Sequence, residues 1–327
     1  MTGVLNPAFW TFVAVIAGIY AIMALGLYMQ FSIAGLPNFG HVAFMAVAAY
    51  TMAILIIRLD TSLPLAALAG LGAALLLALL LGVPTLRLRA DYLAIATVAA
   101  GEIVRYLAMN LPGLTGGPVG SMAMLGPTQF ATYNGAWVRM IHAIGATVAP
   151  LLGFMPSRDA VTAVVVWLLL LGLLLAMSHL ERSPWGRVLR GIREDDTAVA
   201  AVGKNVVAFK LQALMLGALI GGLAGLLLAL QIGVFSPDDF QPTLTFYAYL
   251  IVVLGGMTRI WALPAGAVLF SLLYSGTRFL NVFPLSLFDS GSRAFLRLFL
   301  VGLLLVLFMA LRPQGLFGSR RLLLLEK

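Results

Sequence analysis

The chain has 327 residues, 62% of them hydrophobic and 10% charged, with no cysteine and a formal net charge of +8. A soluble domain carries about a quarter charged residues, so water is excluded as the main solvent, and the lack of cysteine excludes disulfides, thiolate metal sites and cysteine nucleophiles. The basic excess gathers beside hydrophobic segments, which points to orientation in a membrane and not to nucleic acid.

A transmembrane helix needs roughly 20 predominantly apolar residues. Such stretches lie near 9–31, 38–57, 63–83, 92–109, 160–180, 208–233, 243–257, 261–280 and 294–311. Backbone groups at membrane depth must be bonded within their own segment, and no stretch alternates like a barrel strand. The prediction is an all-α, polytopic integral membrane protein. It forms one membrane domain over residues 1–327, with about eight to ten transmembrane helices, some of them discontinuous. The opening MTGVLNP lacks Lys and Arg, and no small-residue cleavage site clearly follows the first apolar stretch, so that stretch is read as a retained span.

In chain order, the first joint is AGLPNFG, residues 34–40, where Gly and Pro interrupt apolar sequence. LGGMTRIWALPAG, residues 254–266, repeats the feature late in the chain. Breaks in corresponding parts of two halves point to discontinuous helices around a transport path, with simple hairpin turns as the alternative. Asn38 and His41 sit at the first break as candidates to touch a polar solute. A histidine there commonly bonds a neighbouring backbone carbonyl instead.

In the fourth segment Glu102 and Arg105 lie three residues apart, on one helical face. Charge within a span is costly, so the pair either lines the path or a subunit contact, or is a structural ion pair with Arg reaching outward. The structural pair is favoured. Residues 110–159 form the longest external stretch and contain Gly116 and Gly117 among several Gly and Pro; residues 136–154 within it read as an interfacial helix.

Residues 182–211, RSPWGRVLRGIREDDTAVAAVGKNVVAFKL, form a charged loop. The pattern predicts two short helices: one across Trp185–Ile192, then Asp195 or Asp196 as N-cap, a turn of TAVAAV, and Gly203 as the stop. This loop and the tail with Arg312, Arg320, Arg321 and Lys327 are the richest in basic residues, hence cytoplasmic. Counting back puts Arg87 and Arg89 inside and the N-terminus outside. A compact charged element of this kind suits either a cytoplasmic motor or anionic lipid. Beyond it, the small-residue string GALIGGLAG, residues 217–225, predicts close helix packing.

Catalytic and metal chemistry have no support: there is no G-x-S-x-G elbow, and no helix carries two His, or His and Glu, at four-residue spacing. The one Gly-Lys pair, Gly203-Lys204, is followed by Asn205, and Ala198 stands where a phosphate loop requires its first Gly.

The loop sequence SPWGRVLRGIREDDTAVAAVGKNVVAFKLQA resembles the cytoplasmic signature of LivM-type permeases of high-affinity branched-chain amino acid ABC importers. GLPNFGHVAFMAVAAY, LRLRADYLAIATVAAGEIVR, LTGGPVG, LGGMTRIWALPAGA and the ending RPQGLFG agree with it in order and spacing. Residues 122–156 match poorly, and Asp91 stands where a small residue is commoner. The resemblance implies a bacterial inner-membrane subunit that pairs with a second, LivH-like permease, two ATPase subunits and a periplasmic substrate-binding protein. ATP and Mg would be bound by the ATPases and no cofactor by this chain. It further implies that Arg187, Arg190, Arg193, Glu194, Asp195, Asp196, Val199 and Gly203 belong to the element that couples to an ATPase. Branched-chain amino acids are the expected substrate, with urea, short amides or aromatic acids as alternatives within the family. A self-sufficient secondary transporter or channel is the rival of a different class, and it should carry more ionisable residues at membrane depth.

Overall fold

A computed structural model describes residues 7–86, 88–125, 133–279 and isolated positions between 292 and 307. Arg87, most of the segment expected at 294–311, and the basic tail with its RPQGLFG motif lie outside the described residues. The helices in order are α1 (Pro7–Tyr28, extended by a π-helical turn Met29–Ile33), α2 (His41–Leu59), α3 (Leu63–Thr85), α4 (Ala90–Asn110) and the short α5 (Pro112–Thr115) and α6 (Ser121–Leu125). Then come α7 (Gly135–Leu152), α8 (Arg158–Arg182), α9 (Pro184–Glu194), α10 (Asp196–Ala201), α11 (Val206–Ile232), α12 (Pro242–Gly255) and α13 (Leu263–Phe279). Among the described residues there is no strand, and seven helices are long and apolar enough to cross a membrane. The helices Pro237–Gly255 and Ile260–Ser275 make an additional pair bent by 107° at the second Gly/Pro break.

The described chain divides into two compact units, one of residues 25–140 and 175–248, the other of residues 1–24, 141–174 and 249–327. In the first, the small-residue string brings α2 and α3 against α11. A Cβ on Gly221 would stand 2.6 Å from His41 Nε2, one on Gly217 would strike the Gln30 side chain, and one on Gly225 would strike the Met45 backbone. Hydrocarbon supplies no hydrophobic drive for helices to associate, so this intimacy of small residues supplies the van der Waals energy instead. Gly82 of α3 meets Leu211 and Leu214 in the same way. In the other unit the Trp167 indole N–H donates to the Ala14 carbonyl at 2.9 Å, and a Cβ on Gly18 would meet Val166 at 2.7 Å.

The register of these contacts gives depth. His41, the first residue of α2, lies beside Gly221, near the middle of the 27-residue α11. The chain leaving α1 therefore reaches one end of the bundle and returns to mid-depth as irregular backbone before α2 begins. Such backbone is tolerated in a membrane only where protein satisfies it. Here Leu36 N–H donates to the Gln30 carbonyl (2.9 Å), Phe39 N–H to Thr97 Oγ1 (3.1 Å) and Gly40 N–H to Asn38 Oδ1 (3.0 Å). The first break is thus a buried, internally bonded interruption and not an exposed hairpin turn.

Sidedness follows from the same unit. Arg193 in α9 is hydrogen-bonded to Ser32 at the end of α1, so the chain crosses an even number of times between them. Between them α2, α3, α4, α7 and α8 all pass the length and composition test for a span, so an even count leaves at least one of the five outside it. The stretch 136–154, expected as an interfacial helix, is in the structure an α-helix long and apolar enough to span, and a Cβ on its Gly145 would stand 3.3 Å from Val161 near the start of α8.

Candidate functional site

Three groups of residues stand out, all within the unit formed by residues 25–140 and 175–248. The first is a polar node at the start of α2. Gln30 Nε2 donates to the Leu214 carbonyl at 3.0 Å, which sets the amide's orientation and leaves Oε1 as an acceptor. Asn38 Nδ2 donates to that oxygen at 2.9 Å and His41 Nδ1 lies 3.3 Å from it. With Nδ1 turned to that oxygen, the other ring nitrogen, Nε2, faces Gly221. The N-terminal N–H of Val42 donates to Thr245 Oγ1 at 3.0 Å. Gln30, Asn38, His41, Thr97 and Thr245 are all buried. A buried polar network that is well satisfied is rigid and fixes one arrangement of its helices.

Asn38 and His41 were expected at this break; Gln30, Thr97 and Thr245 were not. Their signal was one of chemistry and not of motif, because a lone amide or hydroxyl within an apolar segment seeks a partner on another helix. Gly40 permits the close approach of α4, since a Cβ on it would strike the Thr97 carbonyl, and a Cβ on Gly101 would already stand 3.4 Å from the Gly40 Cα.

The second group lies toward the other end of α4. Arg105 grips Glu102 with two parallel bonds, Nε to Oε1 at 3.0 Å and Nη2 to Oε2 at 2.7 Å, and its Nη1 donates to Asp238 at 3.0 Å. The guanidinium also stacks 4.8 Å from the Tyr106 ring centroid. One cation with two carboxylates makes a bridge from α4 to the 3₁₀ turn Pro237–Phe240. Gly116 and Gly117 do not join it. They have φ of +79° and +62° and shape the loop after α4. Gly120 lets that loop abut the 235–236 backbone, where Ser121 N–H donates to the Phe235 carbonyl (2.8 Å) and Phe235 N–H to Ser121 Oγ (2.9 Å). Phe235 then packs edge-on against Tyr50 of α2, and Phe240 meets the same ring at a tilt.

The third group is the helix pair α9–α10. Ser183 caps α9, Asp195 caps α10 by accepting from the Thr197 and Ala198 N–H groups, and Gly203, with φ +78°, ends it. Asp195 carries the cap, as one of the two alternatives proposed, and these bonds, led by that from the Thr197 hydroxyl, hold its carboxyl below the usual range. Trp185 Nε1 donates to Gln212 at 2.7 Å, and Lys210 pairs with Asp196 at 2.9 Å, so α11 anchors both short helices. Arg190 turns back to Glu181 and Arg187 to the Arg182 carbonyl. Val199 packs on Gly191, whereas Val202 is exposed, as are Glu194 and the whole of α10 except Val199.

The sequence profile of the branched-chain amino acid transport system permease component matches residues 9–309, almost the whole chain. The chain belongs to this permease family. It is 35% identical over 320 residues to the high-affinity branched-chain amino acid transport system permease protein LivM of Salmonella typhimurium, covering 94% of this chain and 70% of that one. The LivM protein of Escherichia coli is 34% identical over the same shares. A probable branched-chain amino acid transport permease protein LivM of Methanocaldococcus jannaschii is 26% identical over 273 residues, 73% of this chain and 72% of that one. No solved structure matches. A permease family of this kind accounts for the apolar helices: this is a multi-pass membrane protein.

Proposed function

We propose that the chain is one of two permease subunits of an ATP-driven importer of branched-chain amino acids in the bacterial inner membrane. It receives substrate from a periplasmic binding protein and pairs with a LivH-like subunit. Two ATPase subunits bind ATP and Mg, and this chain hydrolyses nothing. The kinship over 94% of the chain with proteins named for branched-chain amino acid transport carries the substrate assignment.

The α9–α10 pair is the coupling element. It is capped at each helix start, anchored to α11, and exposes Val202 with the acidic residues 194–196 on the cytoplasmic side, which suits docking into a groove on an ATPase. The mid-depth node with Asn38 and His41 lies on the path. Glu102 and Arg105 hold the outer segment against α4, with Gly116 and Gly117 shaping the loop beside it. Alternating access then amounts to two arrangements of these helices, each favoured by a different nucleotide state of the ATPases.

Co-expression with the genomic neighbours and purification on a tag in this chain tests the proposal. The ATPases and second permease should co-purify, and proteoliposomes should accumulate leucine, isoleucine or valine only with ATP inside and binding protein outside. Transport without ATP would overturn it in favour of a secondary carrier. Uptake of urea or aromatic acids in place of aliphatic ones would move the substrate within the family. Val202→Asp should release the ATPases.

A further inference from the structure

Arg193 was grouped with the residues facing an ATPase, but its guanidinium points the other way. Nη1 donates to the Ser32 carbonyl at 2.7 Å, a bond across 161 positions of sequence. Ser32 lies in the π-helical turn that ends α1. Carbonyls of a last turn lack intrahelical partners, and a cation there also suits the helix dipole. Beside it Gly35, with φ +68°, lays its backbone against Arg193, so near that a Cβ would stand 3.0 Å from Arg193 Cγ and 3.3 Å from its Cα. This is one of the positions where only glycine allows the approach. Ile192 beside it and Leu189 one turn back bury the inner face of α9.

On the other side of the bond, the same π turn carries Gln30, which holds the Leu214 carbonyl, Asn38 and the His41 ring. A displacement of the Ser32 carbonyl therefore displaces the amide that organises the mid-depth node. On the cytoplasmic side α9 is held to α8 by Arg190–Glu181, and α10 to α11 by Lys210–Asp196. Between these fixed points, Arg193 and Gly35 supply the direct junction between the helix pair and the interruption before α2.

We propose that Arg193 is a positioning residue for transport: it links the α9–α10 pair to the α1–α2 break, so that movement imposed on the pair re-sets Gln30, Asn38 and His41. The proposal rests on the coupling role of α9–α10 and goes beyond it by naming the junction. Packed, hydrogen-bonded elements transmit such movements because they switch between discrete arrangements and do not deform smoothly. If the bond is made in only one of the two arrangements, its loss changes their ratio by about tenfold, the effect of one charge-assisted hydrogen bond.

The test uses the full complex in proteoliposomes, with uptake and ATP hydrolysis measured on the same preparation. Arg193→Ala should leave the ATPases bound and hydrolysing, while substrate moved per ATP falls about tenfold. Arg193→Lys, which can still donate to the carbonyl, should recover much of the ratio. Gly35→Ala, which pushes the break off α9 without touching a charge, should reproduce the loss. Val202→Asp serves as the separate arm: loss of the ATPases from that variant supports the docking reading whatever Arg193 does. An unchanged ratio in Arg193→Ala overturns the proposal, and so does loss of the ATPases in that variant, which would place Arg193 in the docking surface.

Discussion

Adding a single methyl group to α11 one turn beyond Gly221 should separate packing from propensity. In Gly225→Ala the new Cβ would stand 2.5 Å from Met45 Cα and 2.7 Å from its carbonyl carbon. Ordinary contacts begin near 3.4 Å. These are backbone atoms in the second turn of α2, so no rotamer change relieves the clash, and the two helices must part by about 1 Å in a close-packed interior. Overpacking of this kind costs about 1–3 kcal/mol, which more than cancels the gain of up to about 1 kcal/mol from replacing a helical glycine by alanine. The matched controls are Gly72→Ala in α3 and Gly172→Ala in α8, where a Cβ meets nothing within 4 Å. Thermal unfolding of the detergent-solubilised protein should show Gly225→Ala melting several degrees below wild type and both controls at or slightly above it. If all three variants melt together, the α2–α11 contact is not as close as described, and the depth assigned to His41 fails with it.

Arg105→Ala should destabilise more than Glu102→Gln, because it strands a carboxylate at membrane depth whereas Glu102→Gln leaves Arg105 paired with Asp238. The penalty for stranding one member of such a pair is about 3 kcal/mol when fully buried, and less here because the Glu102 side chain is 28% exposed; combining the two changes should recover part of the loss, read as melting temperature. Gln30→Ala should disorder the node by removing the acceptor of Asn38 and the donor to Leu214 and so lower uptake, and Gln30→Glu should not restore it, because a carboxylate cannot donate to the Leu214 carbonyl and would be a buried charge; substrate accumulation in proteoliposomes measures both. For Asp195 the depressed pKa fixes the sign of the pH dependence: its stabilisation of α10 is complete above the ordinary carboxylate range and is lost as pH falls through the lower folded value. Amide hydrogen exchange at Thr197 and Ala198 should therefore be pH-independent in protection near neutrality and lose protection in acid, and Asp195→Asn should abolish that dependence while keeping the cap.

Much of the architecture was legible in the residues themselves. Segment lengths and apolarity set the helices, and Asp195 and Gly203 mark the limits of α10 through purely local bonds. The string at 217–225 announced a close contact without saying with what. Local chemistry carries this information because caps, breaks and hydropathy are decided within one or two helical turns. Even the interruption at 34–40 was visible, though not whether it was a surface turn or a buried one.

What remained depended on partners distant in sequence. Gln30 finds Leu214, Phe39 finds Thr97, Val42 finds Thr245 and Arg193 finds Ser32. No periodicity encodes such pairs, because each is chosen by the register in which the helices pack. The composition alone determined that this chain would live in a membrane as α-helices, since no other structure bonds its own backbone there. Only the tertiary packing decided that α2 starts at mid-depth and that Arg193 faces the helix break, because those outcomes follow from which glycine on α11 lies against which neighbour.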